Sequence, residues 1–348
     1  MQAPPPGPVT LPYRAAPPRH QRLAGVSWPA YGVSAADISG FGVVAGPGAT
    51  QSVPIASVAK VMTAYVVLHD HPLPAGQSGP EIVVQPPEAA AYSAQARDGD
   101  SLVPVAAGEA LTEREALEAL LLPSADNMAW ILARWDAGSQ AAFVTRMNAT
   151  ARHLGMTGTR YTDPSGLASS TTSTAADQVR LAMAAMRVPA LAAIVAMSTA
   201  VVPVAGVVRN YNTLLGQDGI VGLKTGSTQA AGGCVVIAAW HKADGHRTLI
   251  VAATFGQPGT AQTILPNALQ AGDNLVLTLD RALDPGQAGS SRSPRGSATG
   301  SVGILPQALA SAYPAHRAGP AQQQGLTVVS AVPSVNEMNL EPWGLFLG

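Results

Sequence analysis

Cysteine is nearly missing from this chain of 348 residues: Cys234 stands alone, which rules out an intrachain disulfide and leaves nothing with the spacing of a zinc cluster. Charge is also scarce. Only 12% of residues are Asp, Glu, Lys or Arg, the formal net charge is -1, and no run of basic residues occurs, so binding to a phosphate backbone has no electrostatic support. Nucleic acid is therefore not an expected partner. No charged segment followed by an apolar one opens the sequence; Met1 leads straight into Gln2-Ala3-Pro4-Pro5-Pro6, so an export signal is absent or already removed. The most apolar of the long uncharged spans, Val188 to Val208, is interrupted by Pro189, Ser198, Thr199 and Pro203, which suits a helix followed by a strand and predicts no membrane span.

The most telling scarcity is lysine. There are three, against seventeen arginines, and two of them fall in Ser57-Val58-Ala59-Lys60 and Lys224-Thr225-Gly226. Arginine supplies charge on a surface equally well but keeps its proton, whereas a buried lysine can become a neutral base. Residues three apart share a helix face, so the Lys60 nitrogen can reach the Ser57 hydroxyl. Burial, together with the charge of Lys224, is expected to favour the neutral form of Lys60. Backbone N-H groups at the helix start can steady developing negative charge near Ser57.

With 47% apolar residues the chain can bury a large core. Residues 1–23 read as a Pro-rich extended arm, 24–283 as the folded part, and 284–348 as a Gly/Ser/Pro-rich linker and irregular tail. A short strand is expected over Gly40 to Ala45, and from Val53 a helix that ends at His69-Asp70-His71-Pro72. Thr112 with Glu115 has capping-box spacing, and Pro123 separates two helices, which places Ser124 at a helix start. Helices are expected over Phe143 to Leu154 and Thr174 to Met186, with a turn at Asp163-Pro164-Ser165-Gly166. Strands follow over Gly219 to Lys224, Cys234 to Trp240 and Thr248 to Phe255, the last two joined through the hairpin signal Lys242-Ala243-Asp244-Gly245. A closing helix, Thr263 to Leu283, is expected to break or bend near Gly272.

Each short motif alone is cheap, but their order is not. Ser57-x-x-Lys60 on an early helix, a serine unit at Ser124 and Lys224-Thr225-Gly226 on a strand follow the order seen in penicillin-binding proteins and class A β-lactamases. From about Gly40 to Leu283 the chain resembles the serine D-alanyl-D-alanine carboxypeptidases, the low-molecular-mass penicillin-binding proteins. The resemblance is carried by the segments around Ser57 and Lys60, Leu120 to Asn127, Met147-Asn148, Tyr161 to Leu167, Asn210 to Leu215, and Gly222 to Thr228 with Ala231-Gly232. It implies a β-lactamase/DD-peptidase-like α/β fold, an antiparallel sheet flanked by helices plus a mostly helical subdomain, with the cleft between them.

The resemblance also implies chemistry. Ser57 would attack the peptide bond of a D-Ala-D-Ala terminus, Lys60 would take its proton, and Ser124 would relay a proton to the leaving amine. Lys224, Thr225, Gly226 and Ser227 would bind the substrate strand and its carboxylate, with the N-H groups of Ser57 and Ser227 as oxyanion donors. No metal or organic cofactor is required. Peptidoglycan stem peptides are the implied substrate, β-lactam antibiotics the implied inhibitors, and the cell envelope outside the cytoplasmic membrane the implied location.

Two departures stand out. The family mostly has Ser-x-Asn, but here the order is Ser124-Ala125-Asp126-Asn127, and an ionised carboxylate cannot donate to a substrate carbonyl. Either Asn127 takes the amide's task in substrate binding, the assignment preferred here, or Asp126 points away and the site works differently; Asp126 reads equally as an acid favoured by the helix dipole. No Lys or Arg lies between Arg247 and Arg281 to add a second carboxylate-binding cation. The rival readings are a β-lactamase and a catalytically silent peptidoglycan-binding protein. A class A enzyme needs a deacylating glutamate, and none occurs between Glu118 and Glu337. His69 and His71 read as a solvated turn rather than a metal pair, Arg247 as a surface pairing residue, Cys234 as core, and Trp130 and Trp135 as packing residues.

Overall fold

The computed structural model describes residues 23, 25–243 and 246–283. The expected N-terminal arm, apart from its last residue, and the linker and tail lie outside the described residues, as does the 244–245 turn of the expected hairpin. In chain order the elements are β1 (Val33–Ile38), β2 (Gly42–Ala45), β3 (Val53–Pro54), a 3-10 turn (Ala56–Ala59), α1 (Lys60–Asp70), β4 (Glu81–Val83), α2 (Pro86–Asp98), β5 (Ala110–Thr112), α3 (Glu113–Leu121) and α4 (Asp126–Ala137). There follow α5 (Gln140–His153), β6 (Thr172–Ser173), α6 (Ala175–Ala185), α7 (Pro189–Val195), β7 (Thr199–Val202), β8 (Gly206–Arg209), β9 (Ile220–Thr228), β10 (Gly232–Ala243), β11 (His246–Gln257) and α8 (Ile264–Leu283). Val188 to Val208 is thus a short helix and two strands, and among the described residues no single helix is long and apolar enough to cross a membrane.

The central sheet is antiparallel in the order β2-β1-β11-β10-β9, so strands from both ends of the folded chain meet in it. Its strands alternate between two cores, as a period of two requires. Cys234, Val236, Val251, Ala253 and Phe255 face the helical core built by α1 and α3–α7, while Val235, Ile237, Ile250 and Ala252 face α8 through Ala268, Leu269, Leu275, Val276 and Leu279. Strand β9 forms one edge, and Lys224 pairs with Val236 of β10.

Local chemistry sets the helix boundaries. Thr112 and Glu115 form the expected capping box at α3, with the Glu115 N-H donating to Thr112 Oγ1 at 3.2 Å and the Thr112 N-H to Glu115 Oε2 at 2.8 Å. Ser139 and Thr174 cap α5 and α6, and Pro189 occupies the first turn of α7. Helix α8 runs unbroken through Gly272, which corrects the expected break. A Cβ at that position would meet Ile237 Cδ1 at 2.7 Å and Val235 Cγ1 at 2.9 Å, so the glycine serves close packing of helix on sheet.

Candidate active site

The helix expected from Val53 begins only at Lys60: Val53–Pro54 form β3, and Ser57 sits on the 3-10 turn that leads into α1. The turn carries Ala56 at φ 47, a left-handed conformation costly for a residue with a side chain. It is held from two sides. Beneath it, Gly166 approaches the Ala56 carbonyl so closely that no Cβ would fit, and Thr63 Oγ1 of α1 donates to the Pro164 carbonyl at 2.6 Å. Asp163 organises that support: its Oδ2 accepts from the N-H groups of Gly166 at 2.8 Å and Leu167 at 3.0 Å and from Ser165 Oγ at 2.7 Å, while its Oδ1 accepts from Thr171 Oγ1. Above, Gly226 of β9 lies against the turn, where a Cβ would stand 2.7 Å from the Ser57 nitrogen.

The second wall comes from the break between α3 and α4. Ser124 has φ 63, again left-handed, and the chain around it is tied by the Ala125 N-H to the Ala119 carbonyl at 3.2 Å and by the Tyr211 N-H to the Leu122 carbonyl at 3.2 Å. The Asn210 to Leu215 segment therefore supports the serine loop. Asn210 holds its own place by donating to the Met197 carbonyl at 3.0 Å.

Lys60 lies at the centre, with no exposed surface. Its Nζ donates to Ser57 Oγ at 2.7 Å, to Ser124 Oγ at 3.3 Å and to Asp126 Oδ1 at 2.6 Å. Three side chains from two segments, with Ser57 and Ser124 more than sixty positions apart in sequence, thus converge on one nitrogen. Lys224 is equally enclosed and donates to the Thr225 carbonyl at 2.9 Å. Burial first, and the charge of Lys60 second, push the Lys224 ammonium well below the usual lysine range, against a smaller opposing pull from Asp126. Lys60 itself faces a carboxylate, Asp126 Oδ1, at 2.6 Å.

The Asp126-Asn127 pair resolves differently from the expectation. Asn127 is turned out of the site and buried: its Nδ2 donates to the Val103 carbonyl at 2.8 Å and its Oδ1 accepts from the Val103 N-H at 3.3 Å. Its carbonyl oxygen and an amide hydrogen are engaged by backbone, where the expectation placed that amide on substrate. Asp126 faces the site, with Oδ2 accepting from the Ser101 N-H at 3.1 Å and its own N-H donating to the Ser101 carbonyl at 2.6 Å. It gives its helix no side-chain cap. Ser101 and Val103 follow Asp98-Gly99-Asp100, which looks like ordinary turn chemistry; nothing local in the sequence marks this segment as part of the site.

Thr225, Gly226 and Ser227 lie on β9, paired with Val235, Cys234 and Gly233 on its inner side. As β9 is an edge of the sheet, its outer side can pair with an extended chain laid beside Ser57.

Elsewhere the structure adds partners to residues read from the sequence. His71, part-exposed at the end of α1, brings its Nε2 to Asp136 Oδ1 at 3.1 Å and its ring to 4.1 Å from that of Trp135, while Arg146 also pairs with Asp136 at 2.8 Å. Arg247 stacks on Trp240, with its guanidinium 4.4 Å from the ring centroid. Cys234 is core, and burial pushes its thiol up to about 12. Among the described residues no group of His, Cys, Asp and Glu has the arrangement of a metal site.

Comparison with known proteins gives the following. A family model described as D-alanyl-D-alanine carboxypeptidase matches residues 37–256. The chain is 35% identical over 228 residues to D-alanyl-D-alanine carboxypeptidase DacB2 of Mycobacterium tuberculosis, covering 64% of this chain and 73% of that one. It is 34% identical over 191 residues to a D-alanyl-D-alanine endopeptidase of Escherichia coli, covering 53% and 58% respectively. The alignments to the two endopeptidases, from E. coli and Pseudomonas aeruginosa, span about half the length of those proteins. A crystal structure of a penicillin-binding protein homologue from M. tuberculosis superposes with a TM-score of 0.64 at 32% identity, covering 76% of this chain and 97% of the other.

Proposed function

The chain belongs to the D-alanyl-D-alanine carboxypeptidase family, and on that premise we propose that it removes the terminal D-alanine from peptidoglycan stem peptides through an acyl-serine intermediate. The observation that carries this reading is one buried lysine nitrogen within hydrogen-bond reach of two serine hydroxyls, Ser57 at 2.7 Å and Ser124 at 3.3 Å. Residues 24–283 are the catalytic domain, with the arm before and the linker and tail after it. The substrate's terminal segment lies along the outer side of β9, its carboxylate facing Thr225, Ser227 and Lys224.

Ser57 Oγ bonds to the scissile carbonyl carbon as its proton passes to Lys60. Negative charge on the carbonyl oxygen is met by the N-H groups of Ser57 and Ser227. Collapse of the adduct breaks the C-N bond, and the departing D-alanine amine takes a proton delivered through Ser124. Water then cleaves the Ser57 ester, returning the proton. Gly226 suits this because the approaching acyl group and the Ser57 turn both need the space a side chain would fill. A β-lactam closes on Ser57 by the same first step, and its ring remnant stays attached as the ester. The substrate lies outside the cytoplasmic membrane, so the protein works after export, in the cell envelope.

The test is intact mass with benzylpenicillin, alongside D-alanine release from a D-Ala-D-Ala peptide, with Ser57→Ala as control. An adduct of one drug equivalent and release of D-alanine, both lost in the variant, are expected. An adduct without release would support the silent peptidoglycan-binding reading, and one that turns over rapidly a β-lactamase. The endopeptidase names among the relatives make a cross-linked stem-peptide dimer the second substrate to assay.

A further inference from the structure

We propose that Asp126 is a positioning residue that holds the Lys60 nitrogen between the two serines, sets the pH at which Ser57 becomes acylable, and ties residues 101–103 to the site. This rests on the acyl-serine reading above. Two simpler roles do not account for the geometry. As a substrate ligand Asp126 does not match the family's amide, since an ionised carboxylate has no proton to donate to a substrate carbonyl and its two oxygens already accept from Lys60 and from the Ser101 N-H. As an acid in the first turn of α4 it is favoured by the helix dipole, but that role alone leaves its contact with Lys60 at 2.6 Å unexplained. Its side chain is 5% exposed and that of Lys60 0%, so the pair at 2.6 Å is poorly screened.

Lys60 can take the Ser57 proton only when it has given up one of its own. A carboxylate in contact favours the ammonium, so Asp126 opposes that loss while it fixes the nitrogen in place. Lys224 on β9 and Asp100 in the segment after α2 also face this pair, and Asp98 acts on Asp100 in turn. The same carboxylate is also a strap. Together with Asn127, which pairs with both backbone groups of Val103, it clasps the 101–103 segment to the start of α4. Asparagine at 126 offers one acceptor oxygen to two donors, so either Lys60 or the Ser101 N-H would face an amide NH2 that cannot accept.

The experiment measures the rate of benzylpenicillin acylation against pH for the full chain and for Asp126→Asn, Asp126→Ser and Asp126→Glu, with hydrogen exchange at the Ser101 amide. In both uncharged variants the rise of rate with pH is expected to move down by about one to three pH units, with faster exchange at Ser101, while Asp126→Glu keeps the wild-type limb. A serine at this position repeats the charge removal with a smaller side chain should asparagine fail to fold. A profile that is only scaled down, its limb unmoved, would reduce Asp126 to a structural residue and overturn the proposal while leaving the acyl-serine reading intact. A wild type that forms no adduct at all would overturn that reading, and this proposal with it.

Discussion

Gly226→Ala places one methyl group between the strand that receives substrate and the turn that carries Ser57. The new Cβ would stand 2.7 Å from the Ser57 nitrogen, 3.1 Å from the Val58 nitrogen and 3.2 Å from Ala56 Cβ. Two of the three neighbours are backbone, so no side chain can swing aside. An ordinary contact needs about 3.4 Å or more, which means that β9 and the turn must separate by about 0.7 Å, and overpacking of this kind costs about 1–3 kcal/mol. Lys60 moves with Ser57, since both lie on the same continuous turn and helix, so their 2.7 Å contact should survive. What changes is the distance from Ser57 to Thr225 and Ser227. A misplacement of about 1 Å in reacting groups costs about 100-fold in rate, so acylation by benzylpenicillin should fall by roughly 30- to 100-fold. Stopped-flow acylation and calorimetry on the same samples give the rate loss and a Tm lowered by several degrees. Wild-type acylation in a folded Gly226→Ala protein would refute the claim that the strand and the turn form one site.

Gly272→Ala is the matching control: its Cβ meets the side chains of Ile237 and Val235 on the sheet face away from Ser57, so Tm should fall by a few degrees with the acylation rate unchanged. Asp163→Ala removes the acceptor shared by Ser165, Gly166, Leu167 and Thr171 and should cost about 3 kcal/mol in denaturant unfolding, with slower acylation because the Ser57 turn loses its support. Burial raises the Glu113 carboxyl from 4.5 to about 7, opposed by His71 and Arg114. Between those values the folded chain holds more protons than the unfolded one, so this residue's contribution is complete below the unfolded value and is lost as pH rises through about 7. Glu113→Gln should flatten that decline in unfolding free energy measured against pH, leaving the share of Asp37, which burial raises to about 6.

Patterns carried by neighbours in sequence were legible beforehand. The apolar runs of β10 and β11, the Thr112-Glu115 cap, the Ser57-Lys60 spacing and the Asp163 turn each depend on residues within a few positions, where local backbone geometry decides the outcome. Elements without such a pattern were not legible. Strand β1 is buried along its whole length and includes Asp37, so it neither alternates nor looks apolar, and α2 buries no residue and shows no core-facing stripe. The site divides in the same way. Sequence alone could nominate Ser57, Lys60, Ser124 and Lys224 as its reactive groups, because few lysines and serines sit in such motifs and the motifs come in a known order. Only the tertiary structure could decide that Asp126 and not Asn127 faces Lys60. Adjacent residues at a helix start point about 100° apart, and which of them meets a lysine 66 positions away depends on how α1, α4 and the 101–103 segment pack together.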